Sequence, residues 1–281
     1  MGTTVGEATG GASVGGATVG ASVGTTVGEA TVGATVGEAT VGAPAVRDGA
    51  APPRREVVSF VRRSARMNPS QQRSWAAHRA GYVVEVERGE RSTSVADQPG
   101  LDLLGLFGRV APLIVEIGCG TGHALAAAAQ DRPEADHLAF EVFAPAVAST
   151  VGRLAAANVR NVRVVMADGV EGLTRLLPAD SVTEIRVWFP DPWHKARHSK
   201  RRLVSRDFAD LAAARLTPGG LLLLATDWDD YATRMHEVLD HHPAFESLSR
   251  DRYPGRPLTK YEARGLAAGR TIHDLAYRTR R

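Results

Sequence analysis

Four acidic residues stand at or just beyond the ends of short apolar runs in the middle of the chain: Glu116, Glu141, Asp168 and Asp191. Carboxylates in such places accept hydrogen bonds from hydroxyl and amino groups of a ligand, or stabilise positive charge that develops during a reaction. One acid after one strand is more often a helix cap or a surface charge. Acids at successive strand ends favour a shared ligand site instead.

A glycine-spaced loop follows the first of these acids. Gly118, Gly120 and Gly122 let the backbone turn tightly and approach a ligand closely. A dinucleotide-binding loop would have glycine at position 123, where His123 stands. The spacing resembles the E-x-G-x-G-x-G loop of class I methyltransferases, whose ligand, S-adenosylmethionine, carries no pyrophosphate. This resemblance favours that cofactor.

Two of the acids suit the remaining parts of such a cofactor. Glu141 ends the second apolar run, where this architecture places an acid that accepts hydrogen bonds from ribose hydroxyls. Asp168 ends the third run, where a carboxylate accepts a hydrogen bond from the exocyclic amine of adenine.

Asp191 stands between two prolines directly after the fourth apolar run. Pro190 and Pro192 limit the backbone on both sides of it to a few conformations, which places the carboxylate rigidly. A rigid acid beside the glycine loop suits a substrate site, and the alternative is a proline-rich turn with an incidental acid. The segment from Lys195 to Arg206 then carries six basic residues and no acid. Such a run is usually a solvated face, but its position after Asp191 favours phosphate contact.

The segments Phe189–Lys195 and Arg197–Arg202 closely resemble the signature of tRNA (guanine-N7-)-methyltransferases. Ser59–Met67, Ala225–Trp228 and Thr259–Gly265 are similar to the same family. The resemblance spans about residues 55–281. It implies transfer of a methyl group from S-adenosylmethionine to N7 of a guanosine in tRNA, which this family typically modifies in the variable loop.

The resemblance also implies a role for each matching residue. Asp191 is the expected catalytic residue and also a cofactor contact. The other expected cofactor contacts are Glu116, Gly118, Gly120, Gly122, Glu141 and Asp168. The expected substrate-binding residues are Lys195, Asp227, Thr259, Lys260, Tyr261 and Glu262. The expected RNA contacts are Arg197, His198, Ser199, Lys200, Arg201 and Arg202.

Apolar runs and alanine-rich stretches alternate strictly after residue 112, and they must position these residues. The runs that predict strands are Leu113–Ile117, His137–Glu141, Val162–Met166, Thr183–Phe189 and Leu221–Thr226. The stretches that predict helices are His123–Gln130, Pro145–Ala157, Val170–Leu177 and Val204–Leu216. This alternation predicts an α/β fold, a parallel sheet covered on both faces, with ligands bound beyond the carboxyl ends of its strands. The resemblance makes it a Rossmann-like class I methyltransferase with a mostly parallel seven-stranded sheet.

Composition divides the chain into two parts. Residues 1–50 repeat glycine, alanine, threonine and valine without a large aromatic, so we expect a disordered tail. Residues 51–281 are expected to form a single methyltransferase domain, with an N-terminal extension over 51–110 and a catalytic core over 111–281. The formal charge of the chain is +3, and residues 1–50 hold four acids and one arginine, which leaves +6 on the remainder. That balance mildly favours a nucleic-acid partner.

The same inventory excludes several classes of protein. A single cysteine, Cys119, rules out an intramolecular disulfide and a cysteine-rich metal site, and we expect no bound metal. No apolar run approaches the roughly 20 residues that cross a bilayer, so we expect a cytoplasmic protein without a membrane partner, either a monomer or a homodimer.

Two alternative functions stay open at this level. Methyltransferases that act on exocyclic amines also place an acid- or Asn-containing proline motif after the fourth strand, followed by an aromatic residue such as Trp193. The segment His194–Lys195 and the arginine run favour the tRNA enzyme over them. A non-catalytic RNA-binding relative is the other alternative, and the four intact acids argue against it.

Overall fold

The computed structural model describes residues 66–281. The predicted tail, and the part of the family resemblance before residue 66, lie outside the described residues. Within the described residues, the strands are β1(Val83–Val84), β2(Leu113–Ile117), β3(Asp136–Phe140), β4(Val162–Val165), β5(Val182–Trp188), β6(Leu216–Thr226), β7(Phe245–Ser249) and β8(His273–Thr279). The helices are α1(Pro69–Tyr82), α2(Leu103–Phe107), α3(His123–Asp131), α4(Ala144–Ala156), α5(Gly169–Leu176), α6(Arg206–Arg215), α7(Asp229–Asp240) and α8(Lys260–Ala267), with a 3-10 helix over Ala196–Arg201.

These strands form one sheet in the order β1-β4-β3-β2-β5-β6-β8-β7. Strands β1 to β6 pair in parallel, and β8 runs antiparallel to both β6 and β7. The mostly parallel α/β sheet is confirmed. The described residues contribute eight strands rather than the predicted seven, because Val83 and Val84 add a strand beside β4 that is too short to show a sequence periodicity.

The predicted elements after residue 112 are all present, with one boundary clearly different. Strand β6 begins at Leu216, five residues before the predicted start, because Leu216 pairs with Val182 of β5. The register then shifts and resumes at Leu221 opposite Glu184, so the intervening Pro-Gly-Gly segment lies within the strand as an irregularity. Gly219 within it has a φ of 73°. Proline and glycine within a strand are typical of such irregularities.

Helices cover both faces of the sheet, as predicted. Successive side chains of a strand point to opposite faces. On β3, Leu138 and Phe140 join a core cluster that also contains residues of α5, α6 and α7. Ala139, between them, packs with residues of α3 and α4. The sheet is therefore buried on both sides, as parallel sheets require.

The strand order brings the carboxyl ends of β2, β3, β4 and β5 to one edge of the sheet. β2 lies between β3 and β5, so the chain winds outward in opposite directions on either side of it. This reversal is the place where open α/β sheets bind ligands. In the part of the chain that the structure describes, no helix is both long enough and apolar enough to span a membrane.

Candidate active site

A cleft of about 1380 Å³ lies at this edge of the sheet. Among the residues predicted from sequence, its walls contain Gly118, Gly120, Glu141, Asp168, Asp191, Lys200, Arg201, Arg202, Lys260 and Tyr261. The predicted residues outside its walls are Glu116, Gly122, Lys195, Arg197, His198, Ser199, Asp227, Thr259 and Glu262. The cleft thus brings together the glycine loop, Glu141, Asp168 and the segment around Asp191.

The glycine loop turns the chain from β2 into α3. Gly118, Gly120 and Gly122 have φ angles of 78°, 56° and 74°, in the left-handed region that glycine adopts without steric cost. A Cβ atom at Gly122 would also lie 2.6 Å from Cγ2 of Thr150 on α4. Backbone conformation and close packing therefore both require glycine at position 122.

Glu116 lies inside the sheet rather than on the cleft wall. Its side chain is buried, and within the described residues its Oε2 atom has no hydrogen-bond partner. Burial raises the pKa of Glu116 to about 7, although Arg186, its partner in register on β5, acts in the opposite direction. A buried acceptor without a donor is rare in folded proteins.

Glu141 connects the end of β3 to the glycine loop. Its Oε2 accepts a hydrogen bond from the backbone N–H of Gly120 at 2.8 Å, and its Oε1 accepts from the N–H groups of Val142 and Phe143 at 2.8 and 2.9 Å. Burial raises the pKa of Glu141 against the effect of these three bonds, and the nearby Asp191 raises it further. A carboxylate has about four acceptor sites, so Oε2 retains capacity for one more donor.

Asp168 is both a helix cap and a residue of the cleft wall. Its Oδ1 accepts hydrogen bonds from the N–H groups of Val170 and Glu171 at 2.9 and 3.1 Å, which caps α5. Its own N–H donates to the carbonyl of Thr93 at 2.8 Å. The capping role that competes with ligand binding in the sequence is therefore real, and it orients the carboxyl group at the cleft.

The segment Phe189–Trp193, which we call the Asp191 loop, contains two of the four non-glycine residues with positive φ among the described residues. Phe189 has a φ of 53° and Trp193 a φ of 45°, one on each side of the Pro-Asp-Pro sequence. Such conformations cost on the order of 1–3 kcal/mol each and persist where surrounding contacts determine them. They concentrate at functional sites, and the exposed Asp191 lines the cleft between them.

Asp227 lies just after β6 and is committed to an ion pair. Its Oδ2 accepts a hydrogen bond from Nη1 of Arg270 at 2.6 Å, and its side chain is 13% exposed. The adjacent Trp228 ring stacks on His194, which follows Trp193 in the chain, with ring centroids 5.7 Å apart. Asp227 therefore lies close to the Asp191 loop without lining the cleft, and its predicted substrate contact requires Arg270 to share it.

The four predicted substrate residues at the N-terminus of α8 lie in two different environments. Lys260 and Tyr261 line the cleft, and Tyr261 is 53% exposed. Thr259 and Glu262 are buried and form a capping box with each other's backbone. Their polar atoms build the helix end, and the substrate contact predicted for them stays a prediction.

Glu262 belongs to a buried ion network that the sequence did not reveal. Arg256 is completely buried and donates to Glu262 through Nη1 at 2.7 Å and to Asp274 of β8 through Nε at 2.6 Å. Its guanidinium lies 5.7 Å from the ring centroid of Trp188 and 5.6 Å from that of Phe189. Arg256 thus links α8 and β8 to the start of the Asp191 loop. Nothing in its sequence context separates it from a surface arginine.

The basic run forms the 3-10 helix and places its members differently. Arg197, Ser199, Lys200 and Arg201 are exposed. The guanidinium of Arg201 lies 5.0 Å from the centroid of the Trp193 ring. The side chain of Arg202, in contrast, is 9% exposed and forms an ion pair with Asp230. Arg202 is therefore much less accessible than its exposed neighbours, and the phosphate contacts predicted for all of them stay predictions.

Arg91 and Glu171 are among the cleft-wall residues that the sequence interpretation missed. Glu171 on α5 accepts from Nη2 of Arg91 at 3.0 Å and from the N–H of Val95 at 2.8 Å. These bonds hold the segment around Thr93 against Asp168. The segment carries no motif, so no signal in the sequence points to it. Residues 66–281 contain no cluster of three or more His, Cys, Asp or Glu residues that could bind a metal ion.

Comparison with known proteins agrees with this arrangement. A family model described as a putative methyltransferase matches residues 110–275. The tRNA (guanine-N(7)-)-methyltransferase of Cutibacterium acnes is 51% identical over 231 residues, which cover 80% of this chain and 84% of that protein. The protein of the same name from a Nocardioides species is 49% identical over 226 residues, with coverage of 80% and 88%. The chain therefore belongs to the tRNA (guanine-N7-)-methyltransferase family.

Proposed function

We propose that this protein transfers a methyl group from S-adenosylmethionine to N7 of a guanosine in tRNA. The observation that carries the proposal is the meeting of Asp191, on a conformationally strained loop, with the glycine loop and Glu141 at the sheet edge. The names of the relatives support the reaction, since both act on guanine N7 of tRNA by name. A tRNA substrate also accounts for the exposed basic 3-10 helix beside the cleft.

The residues around the glycine loop fit S-adenosylmethionine. Glu116 offers a buried acceptor without a donor, and Glu141 retains capacity at Oε2. We assign Glu141 to the ribose hydroxyls and Asp168 to the adenine amine, with Gly118 and Gly120 letting the backbone approach the ligand. Bound there, S-adenosylmethionine supplies a methyl group already activated by its positive sulfonium.

The chemistry asks little proton transfer of the protein. Guanine N7 presents an unprotonated lone pair, so attack needs no general base. Holding the two reacting atoms in line at about 3–3.5 Å supplies much of the rate. Positive charge moves onto the guanine ring during transfer, and the Asp191 carboxylate stabilises that state more than the ground state. We therefore assign Asp191 as the catalytic residue.

We assign recognition of the tRNA to two groups of residues. Lys195, Arg197, Lys200 and Arg201 present cations that suit backbone phosphates. Tyr261 presents a half-exposed ring at the cleft wall, which suits stacking on an unpaired base, and Lys260 beside it suits a phosphate. An enzyme with this substrate works where tRNA is processed, which places it in the cytoplasm. The variable loop is the expected position of the target.

The proposal is tested by identifying the product. The protein is incubated with isotopically labelled S-adenosylmethionine and unmodified tRNA, and the digested nucleosides are separated by mass. We expect the label in 7-methylguanosine, from a fragment that contains the variable loop. Label in a nucleoside methylated on an exocyclic amine would support the amine methyltransferase instead. Cofactor binding without any transfer would support a non-catalytic relative.

A further inference from the structure

Arg202 makes three contacts that join the Asp191 loop to the start of α7. Its Nε donates to the carbonyl of Pro192 at 2.8 Å, and its Nη2 forms an ion pair with Asp230 in the first turn of α7. Its guanidinium lies 4.8 Å from the centroid of the Tyr231 ring. We propose that Arg202 is a positioning residue for methyl transfer, which holds the Asp191 loop through Pro192 and does not bind tRNA phosphate. This inference rests on the proposed function.

The Asp191 loop needs such support because its strained residues stand at both of its ends. At the first end, the N–H of Phe189 donates to the carbonyl of Ala225 at 2.8 Å. The buried Arg256 also lies against the Phe189 ring. At the second end, Trp193 follows the carbonyl that Arg202 holds. The two arginines therefore brace opposite ends of the strained loop, with Asp191 between them.

The surroundings of Arg202 suit a fixed guanidinium rather than a mobile one. Tyr231 is completely buried, and its hydroxyl accepts a hydrogen bond from the N–H of Val204 at 3.0 Å, so the ring beneath the guanidinium is anchored. Arginine presents its donors in a rigid planar fork that can serve a carbonyl and a carboxylate at once while stacking on a ring. Lysine has the same charge but lacks both the fork and the flat surface.

The neighbouring Arg201 provides a direct contrast. It is exposed and lies over the Trp193 ring, with its charge at the mouth of the cleft. The charge of Arg202 is already paired with Asp230, and its side chain is 9% exposed. Binding of RNA should therefore release few counterions through Arg202. The two adjacent arginines therefore separate into one that binds RNA and one that positions the loop.

The test compares wild type with Arg201→Ala, Arg202→Ala, Arg202→Lys and Asp230→Ala. Single-turnover methylation is measured at saturating cofactor and tRNA, and tRNA affinity is measured across a salt series. We expect Arg202→Ala to slow turnover about 10- to 100-fold through misplacement of the loop. Its logarithmic salt slope should match wild type. Arg201→Ala should instead flatten that slope by about 0.7–0.9.

Two further variants, Arg202→Lys and Asp230→Ala, distinguish a positioning role of Arg202 from an effect of its charge. Arg202→Lys should stay slow, since the charge is kept and the fork is lost. Asp230→Ala should slow turnover in the same direction by a smaller factor, and Arg202→Ala should cost less in that background than in wild type. Full activity of Arg202→Lys together with a flattened slope in Arg202→Ala would overturn the proposal in favour of phosphate contact.

Hydrogen exchange at the amides of Asp191 and Trp193 tests the contact without any assay of activity. We expect faster exchange in Arg202→Lys and in Asp230→Ala than in wild type, and unchanged exchange would overturn the proposal. Asp230 is 60% exposed, so its alanine variant provides this readout even if Arg202→Ala does not fold. A wild-type protein that exchanges as expected but makes no 7-methylguanosine would reject the proposed function and leave the loop contact established.

Discussion

The acids at the carboxyl ends of β2, β3 and β5 differ in environment. Glu116 is buried with an oxygen lacking a donor, Glu141 is half-buried with three donors, and Asp191 is exposed on a strained loop. These differences decide what each can do. A carboxylate that stabilises charge during a reaction has to face the substrate, and the exposure of Asp191 at the cleft agrees with the catalytic role that we propose for it.

Replacing Asp191 by asparagine tests its catalytic assignment. The substitution keeps the shape and removes the negative charge, so the single-turnover rate should fall by about 100-fold or more while cofactor affinity changes far less. Rapid quench and calorimetry measure the two quantities. Asp131→Asn, which removes an exposed acid at the end of α3, is the matched control for loss of one charge. A near-normal rate in Asp191→Asn would remove the residue from catalysis.

Glu116 gives the protein a pH-dependent stability in the absence of cofactor. Its pKa is about 7 in the folded protein, against an ordinary value of 4.5. Between these values the folded state holds a proton that the unfolded state has lost, so stability falls as pH rises from about 4.5 to 7 and is constant beyond. The full difference is at most about 3 kcal/mol.

Glu116→Gln removes this contribution. Relative to wild type, the variant should gain stability when pH is raised from 5 to 8, and urea unfolding at both pH values measures the change. Subtracting the wild-type curve cancels the other titrating groups, which both proteins share. A pH-independent difference between the two proteins would mean that Glu116 ionises at its ordinary pKa.

Among the elements, the turn from β2 into α3 forms the part of the cleft wall to which we assign the cofactor. Three glycines with positive φ bring the backbone to the cleft without side chains, and α4 packs against the last of them through Thr150. Asp168 caps the start of helix α5, and Glu171 of that helix holds residues 91–95 against it. The site is therefore built on the ends of rigid elements.

Gly122→Ala should destabilise the protein by about 2 kcal/mol or more. The added Cβ meets Thr150 at 2.6 Å, and the φ of 74° is unfavourable for any residue other than glycine. Gly81→Ala in α1 is the control, since nothing lies within 4 Å of its added Cβ and alanine favours helix by up to about 1 kcal/mol. Chemical denaturation compares them. Equal stability of the two variants would contradict the packing described for Gly122.

The sequence predicts the elements well because alternating apolar runs and alanine-rich stretches depend on local pattern. It also finds the acids of the cleft, because strand ends are recognisable. It does not distinguish Arg201 from Arg202, since exposure depends on Asp230 and Tyr231, which lie far along the chain and approach only in the fold. It does not reveal the ion network around Glu262 for the same reason, because its partner Arg256 is buried by tertiary contacts. The substrate contact predicted for Glu262 stays a prediction.

The order of the strands and the position of the basic residues place the cleft and the exposed cations side by side. The order of the sheet brings the ends of β2 to β5 to one edge, and the 3-10 helix after the Asp191 loop presents exposed cations at the same edge. A polyanion attracted to those cations meets the cleft directly. We therefore expect the arrangement to direct the tRNA substrate that we propose to the cleft.

The acceptor atom that we propose for the methyl group is N7 of guanine in tRNA. Transfer of labelled methyl groups is measured on two transcripts of one tRNA, one with guanosine and one with 7-deazaguanosine, in which carbon replaces N7. We expect label in the first transcript and none in the second, with similar affinity of the protein for both. Equal labelling of the two transcripts would contradict it, because another atom would then accept the methyl group.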